Sequence, residues 1–169
     1  MRCLPTLLTE SLKDMTNMWI ETAAAMQSLG ESIARITRGG DVLILTGELG
    51  AGKTTFAQGV ARGLGITEPV TSPTFVMSKS YPAGESLRLL HLDVYRVSHV
   101  DQLLDLWSEI DAQDSLTLVE WGGRWADEFG DRVVQMHIDS DVEAGRDIYF
   151  TAYSPLGDAF LSRIQSVLA

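Results

Sequence analysis

The stretch Gly47-Glu48-Leu49-Gly50-Ala51-Gly52-Lys53-Thr54, "GELGAGKT", follows directly on the apolar run Val42 to Thr46, "VLILT". A run that is apolar on both faces predicts a central strand covered by helices. Beyond the glycines, Phe56, Val60 and Leu64 fall on one helical stripe, and Gly63 and Gly65 end it. The octapeptide fits G-x-x-x-x-G-K-[ST], and strand, glycine loop and helix are the setting in which that pattern cradles phosphate.

The glycines let backbone N–H groups turn inward, and the helix N-terminus adds partial positive charge. Nucleotide binding is therefore expected of Glu48, Leu49, Gly50, Ala51, Gly52, Lys53, Thr54 and Thr55. Lys53 would reach the β- and γ-phosphates of ATP, and the Thr54 hydroxyl would ligate Mg²⁺. Other phosphate binders fit less well. Guanine-reading enzymes use an Asn-Lys-x-Asp element, and the only asparagine is Asn17; G-x-G-x-x-G fails because Thr55 stands at its third glycine.

A magnesium nucleotide needs further carboxylates, and in open α/β sheets ligands bind beyond the carboxyl ends of parallel strands. Asp93 ends "LRLLHL" and Glu120 ends "LTLV". If both strands run parallel to the first, the two acids reach the loop's edge. Asp93 would then hold Mg²⁺, and Glu120, also near the metal, would orient or deprotonate an attacking water. Otherwise they are strand-end acids in solvent. Thr74, in a proline-tethered "TSPTF" loop, is a candidate γ-phosphate sensor. Trp121 either lies on the nucleotide or fills core, and His91, inside an apolar strand, reads as a satisfied structural histidine.

Around this centre, Met26, Leu29, Ile33 and Ile36 mark a helix stopped at Gly39-Gly40. A short strand is expected over Thr74 to Lys79 with a turn at Pro82-Ala83-Gly84, and a helix over Val100 to Ile110. Alternation of Val134, Met136 and Ile138, then Ile148, Phe150 and Ala152, predicts a hairpin about "SDVEAGRD"; Phe160 to Leu168 predicts a closing helix. The expected fold is α/β: a P-loop NTPase-like three-layer arrangement with a mixed sheet and an added antiparallel hairpin. Residues 1–18 are expected to form a disordered extension, with 19–169 as one domain and Met15 or Met18 as alternative starts.

A chain of 169 residues with 45% apolar content can bury one core, and no run is long enough for a membrane span. The lone Cys3 and the poor signal-peptide character of the N-terminus point to the cytoplasm. A formal charge of −10 with scattered Lys and Arg argues against direct grip on nucleic acid.

Taken in order and spacing, "GELGAGKTTFAQGVARGLG", "SPTF", "LDVYR" and "VEW" resemble the TsaE (YjeE) family, over roughly Trp19 to Ser154. The resemblance implies an ATPase of bacterial threonylcarbamoyladenosine tRNA modification, working with TsaB and TsaD and meeting tRNA only indirectly. It assigns Lys53 and Thr54 to phosphate and Mg²⁺, Asp93 to the metal sphere, Glu120 to hydrolysis, Thr74 to sensing and Trp121 to the nucleotide's neighbourhood. The chain departs from the family in carrying Gly122-Gly123 where a proline commonly follows the tryptophan, which bears on how Arg124 is aimed. A small-molecule kinase, or a nucleotide-gated binding module with incidental hydrolysis, are the alternatives from other classes.

Overall fold

The computed structural model describes residues 16–74, 77–104, 110, 113–141 and 145–168. Its strands are β1 (Thr16–Ile20), β2 (Val42–Gly47), β3 (Ser78–Ala83), β4 (Leu87–Asp93), β5 (Ser115–Glu120), β6 (Val133–Asp141) and β7 (Gly145–Ala152). They form one seven-stranded sheet in the order β1-β7-β6-β2-β5-β4-β3. The centre, β6-β2-β5-β4, is parallel, while β3 and the β7-β1 pair are antiparallel. This is the α/β, P-loop NTPase-like fold with its antiparallel additions.

Alternation along the strands sorts side chains to opposite faces. Leu43 and Leu45 of β2, Leu116 and Leu118 of β5 and Leu89 of β4 meet the helices α1 (Ala23–Ala34), α2 (Lys53–Gly63) and α3 (Pro155–Leu168). Val42, Ile44, Leu90, Leu92 and Val119 face the other way, onto Val97, Leu103, Ile110 and Phe129. Among the described residues, the opposite layer includes the short 3₁₀ segments Val100–Leu103 and Gly122–Phe129 and the helical Leu104 and Ile110.

Helix α1 starts where the Thr22 hydroxyl accepts the Ala25 N–H at 3.1 Å and buries Met26, Leu29 and Ile33. It meets α2 backbone to backbone. A Cβ on Gly30 would lie 2.5 Å from the Phe56 carbonyl, and one on Gly59 2.1 Å from that of Gln27. This contact fixes α2, and with it the loop at its N-terminus.

Three readings of the chain shift. Strand β1 begins at Thr16, so the boundary expected at residue 19 falls within the sheet; residues 1–15 lie outside the described residues. Strand β3 runs Ser78–Ala83, not Thr74–Lys79, and takes in Pro82. Proline is tolerated there because β3 is an edge strand pairing only with β4. The helix expected over Val100 to Ile110 opens as a 3₁₀ segment at Val100–Leu103 and is α-helical at Leu104 and Ile110, while 105–109 lie outside the described residues. Among the described residues, no helix is long and apolar enough to cross a membrane.

Candidate functional site

Parallel pairing places both acids at the loop's edge. Asp93 is in register with Glu120, and Glu120 with Leu45, two residues before the glycine loop. The first helical residue is Lys53, and the residue before it, Gly52, has φ 116°, a left-handed conformation suited to glycine. No side chain caps this helix start, so its orphan N–H groups point to where an anion would sit.

The result is a cavity of about 260 Å³ lined by Leu49, Gly50, Gly52, Lys53, Thr54, Thr55, Ser72, Thr74, Asp93, Glu120 and Trp121. Of the residues expected to bind nucleotide, Glu48 and Ala51 do not line it. The Glu48 carbonyl and the Ala51 N–H instead close the loop's own turn at 3.2 Å. Leu49 stands at the rim, 91% exposed.

Lys53 is 5% exposed, and its ammonium donates to the Gly47 and Glu48 carbonyls at 2.8 and 2.7 Å. An ammonium has three donors, so one is left for the cavity. Burial lowers the Lys53 pKa from 10.5, while attraction to Glu120 and then Asp93 opposes the fall. The ammonium also lies 3.7 Å from the centroid of the Trp121 ring.

Asp93 is held by three donors. Ser72 and Thr74 hydroxyls donate to one oxygen at 2.9 and 2.7 Å, and the Tyr95 N–H to the other at 3.0 Å. Thr74 is thus tied to the metal-sphere candidate. Met77, with φ 63°, closes the same loop through Met77 N–H to Pro73 O at 2.8 Å and Asp93 N–H to Met77 O at 2.9 Å.

Glu120, 3% exposed, accepts from the Thr54 hydroxyl at 3.0 Å. The next residue, Trp121, has φ 66°, a strained value for a bulky residue, and its N–H is pinned to the Leu45 carbonyl at 2.9 Å. That turn swings the indole out of the core and over Lys53, against Tyr95 at 4.9 Å between ring centroids. The core alternative for Trp121 is therefore set aside.

His91 is not a satisfied structural histidine: Nε2 donates to Glu120 Oε1 at 2.9 Å, and buried Nδ1 has no partner among the described residues. Arg146 of β7 was missed. Its Nε donates to the Ala51 carbonyl at 2.5 Å, bracing the glycine loop from a strand far along the chain. Its distance from Lys53 in sequence hides it; only the pairing of the hairpin brings it near. Arg124 donates to the Val97 carbonyl and lies over Trp125 instead of lining the Lys53 cavity.

No group of three or more metal-binding His, Cys, Asp or Glu side chains exists among the described residues. Yet Thr54, Asp93 and Glu120 offer hard oxygens around one cavity, and Mg²⁺ takes one or two protein ligands, keeping waters and phosphate oxygens. The donor set fits that ion.

A family model described as "Threonylcarbamoyl adenosine biosynthesis protein TsaE" matches residues 20–148. The tRNA threonylcarbamoyladenosine biosynthesis protein TsaE of Streptomyces coelicolor is 37% identical over 147 residues, covering 85% of this chain and 99% of its own. Its Bacillus subtilis namesake is 40% identical over 126 residues, 75% of this chain and 78% of its own. Among solved structures, Bacillus subtilis YdiB superposes with a TM-score of 0.71 at 30% identity, over 91% of this chain and 94% of that one.

Proposed function

The chain belongs to the TsaE family, and from that premise we propose that it is a Mg²⁺-dependent ATPase serving tRNA threonylcarbamoyladenosine formation with the TsaB and TsaD proteins. The observation that carries the reading is the single cavity on which Lys53, Thr54, Asp93, Glu120 and Trp121 converge.

In this reading the loop amides and the third Lys53 N–H hold the β- and γ-phosphates, and the Trp121 ring keeps Lys53 in place. Thr54 and Asp93 hold Mg²⁺, which supplies neutralisation of charge on the phosphate oxygens. Glu120 orients a water and accepts its proton as the water oxygen bonds to the γ-phosphorus and ADP leaves. The Thr74 hydroxyl, already on Asp93, senses whether the γ-phosphate is present. A net charge of −10 leaves tRNA to the partner proteins.

The test is complex formation with TsaB and TsaD by size exclusion in ATP, ADP and no nucleotide, beside ATPase assays of the chain with and without them. Association should favour ATP over ADP, and Thr74→Ala should erase that preference more than it weakens nucleotide binding. Equal association in all states sinks the coupling to partners. Phosphate transferred to a metabolite in place of water makes the chain a kinase, and tight, salt-sensitive tRNA binding by the isolated chain overturns the indirect role.

A further inference from the structure

His91 sits within β4, its backbone in register with Lys79 on one side and Leu118 on the other, and it is fully buried. By strand alternation it shares its face with Leu89 and Asp93. For packing alone a leucine would serve there, as it does at Leu89, Leu90 and Leu92. An imidazole costs more. Its Nδ1 is buried with no hydrogen-bond partner among the described residues, and a polar group that leaves water unpaired weakens the fold.

What the imidazole gains is one bond, Nε2 to Glu120 Oε1 at 2.9 Å. A carboxylate only accepts, so Nε2 is the donor in this bond. Thr54 is a second donor, 3.0 Å from Oε1 and 3.4 Å from Oε2, but its hydroxyl is shared between the two oxygens and has a competing task at the metal. His91 has no competing task and lies on a central strand without solvent access.

We infer that His91 is a positioning residue that clamps Oε1 of Glu120 and so leaves Oε2 aimed at the attacking water. It touches neither nucleotide nor water. This role rests on the reading of Glu120 as the residue that handles the water. Without the clamp the carboxylate rotates about its own side-chain bonds, and fewer bound ATP molecules have the water in line.

The experiment compares His91→Leu, His91→Gln and His91→Asn for single-turnover ATP hydrolysis, Kd for Mg·ATP and thermal unfolding. Glutamine places an amide nitrogen where Nε2 stood; asparagine, equally polar, stops one methylene short. His91→Leu should slow hydrolysis about 10-fold with Kd unchanged, as loss of a residue behind a functional ligand does. Glutamine should restore most of the rate and asparagine should not, which also answers the case of a leucine variant that does not fold. In a Glu120→Gln background, His91→Leu should add nothing. A normal rate in folded His91→Leu while Glu120→Gln is impaired overturns the clamp alone. Equal rates for the glutamine and asparagine variants do the same, as does a further loss in the Glu120→Gln background. A normal rate in Glu120→Gln itself removes the reading of Glu120 and the clamp with it.

Discussion

Asp41 and Glu120 are carboxylates almost equally hidden, at 2% and 3% exposure, one at each end of the parallel strands, and they keep different company. Asp41 precedes β2 at the amino edge. It takes the Arg163 guanidinium of α3 at 2.5 Å and the Arg38 N–H at 2.7 Å, so its charge is matched by a cation that also binds the Ile36 carbonyl. Glu120 meets a hydroxyl and an imidazole, and Asp93 beside it meets hydroxyls and an amide. Lys53, a cation beside them, gives two of its hydrogen bonds to carbonyls. A buried acid with its own guanidinium closes a structure. Two acids without a guanidinium of their own leave room for a metal cation to balance their charge. Size does not make this distinction: the larger cavity, about 620 Å³, opens at the amino edge beside Glu128, Asp131 and Arg132, without the glycine loop.

The comparison breaks most easily at Lys53. Lys53→Ala should raise Kd for Mg·ATP by about 10²-fold or more, since it removes the point charge on the phosphates, while the fold survives. Calorimetry on the folded variant checks this, and unchanged affinity would remove the phosphate site. The wild-type chain adds a pH test. Burial sets the Lys53 pKa below 10.5 in the folded chain, so the ammonium is lost, and ATP affinity falls, as pH climbs through a value below 10.5.

Glu120→Gln keeps shape and loses the basic carboxylate, so ATP should bind while turnover drops by about 10²-fold. Asp93→Asn should instead shift the Mg²⁺ titration to higher concentration. If both variants behaved as structural lesions, lowering Tm with no specific effect, the carboxyl edge would be no different from Asp41's.

Much of this edge was legible because it is built from strand ends. The apolar runs name the strands, and Asp93 and Glu120 follow once those strands are parallel, which the pairing of β2, β5 and β4 supplies. What stayed hidden depends on tertiary direction. Five residues of β1 show no clear alternation, with Trp19 left 43% exposed on an outer strand. The Glu120 bond of His91 crosses between strands, and Arg146 reaches the loop from a hairpin whose register no local pattern reveals. Trp121 was legible as a residue but not as a conformation, because φ 66° is imposed by the pin to Leu45.

At the amino edge the expectation is reversed. Arg163→Met strips Asp41 of its cation, and leaving a nearly buried acid unpaired should cost about 2 kcal/mol, somewhat less than for a fully buried pair because Arg163 is partly exposed. For a chain of this size that lowers Tm by about 4–8 °C. Below the melting range, ATP affinity and turnover should match the wild type. Scanning calorimetry and a turnover assay on one preparation decide it, and a catalytic defect in the folded variant would mean the two edges are coupled.

The smallest effect sharpens the boundary between the two kinds of region, because Arg146 belongs to both. Like Arg163, it is an arginine that anchors one element to another; unlike it, the group it holds is part of the phosphate loop. Its Nε takes the Ala51 carbonyl at 2.5 Å and lies 3.3 Å from where a Cβ on Gly52 would stand, behind the loop and not within the cavity. Ala51 is fully buried, so losing that bond leaves its carbonyl without a donor and should cost the fold about 1 kcal/mol. The loop would also sample more conformations before ATP binds, and ordering it costs affinity. Arg146→Met should therefore weaken Mg·ATP binding about fivefold, roughly 1 kcal/mol, with hydrolysis of bound ATP unchanged. Arg146→Lys should recover only part of this, since a flexible ammonium does not reproduce the guanidinium's fixed geometry. Calorimetric Kd values set beside single-turnover rates separate the two quantities. A slowed chemical step with intact affinity would place Arg146 in the charge balance of the reaction and not behind the loop.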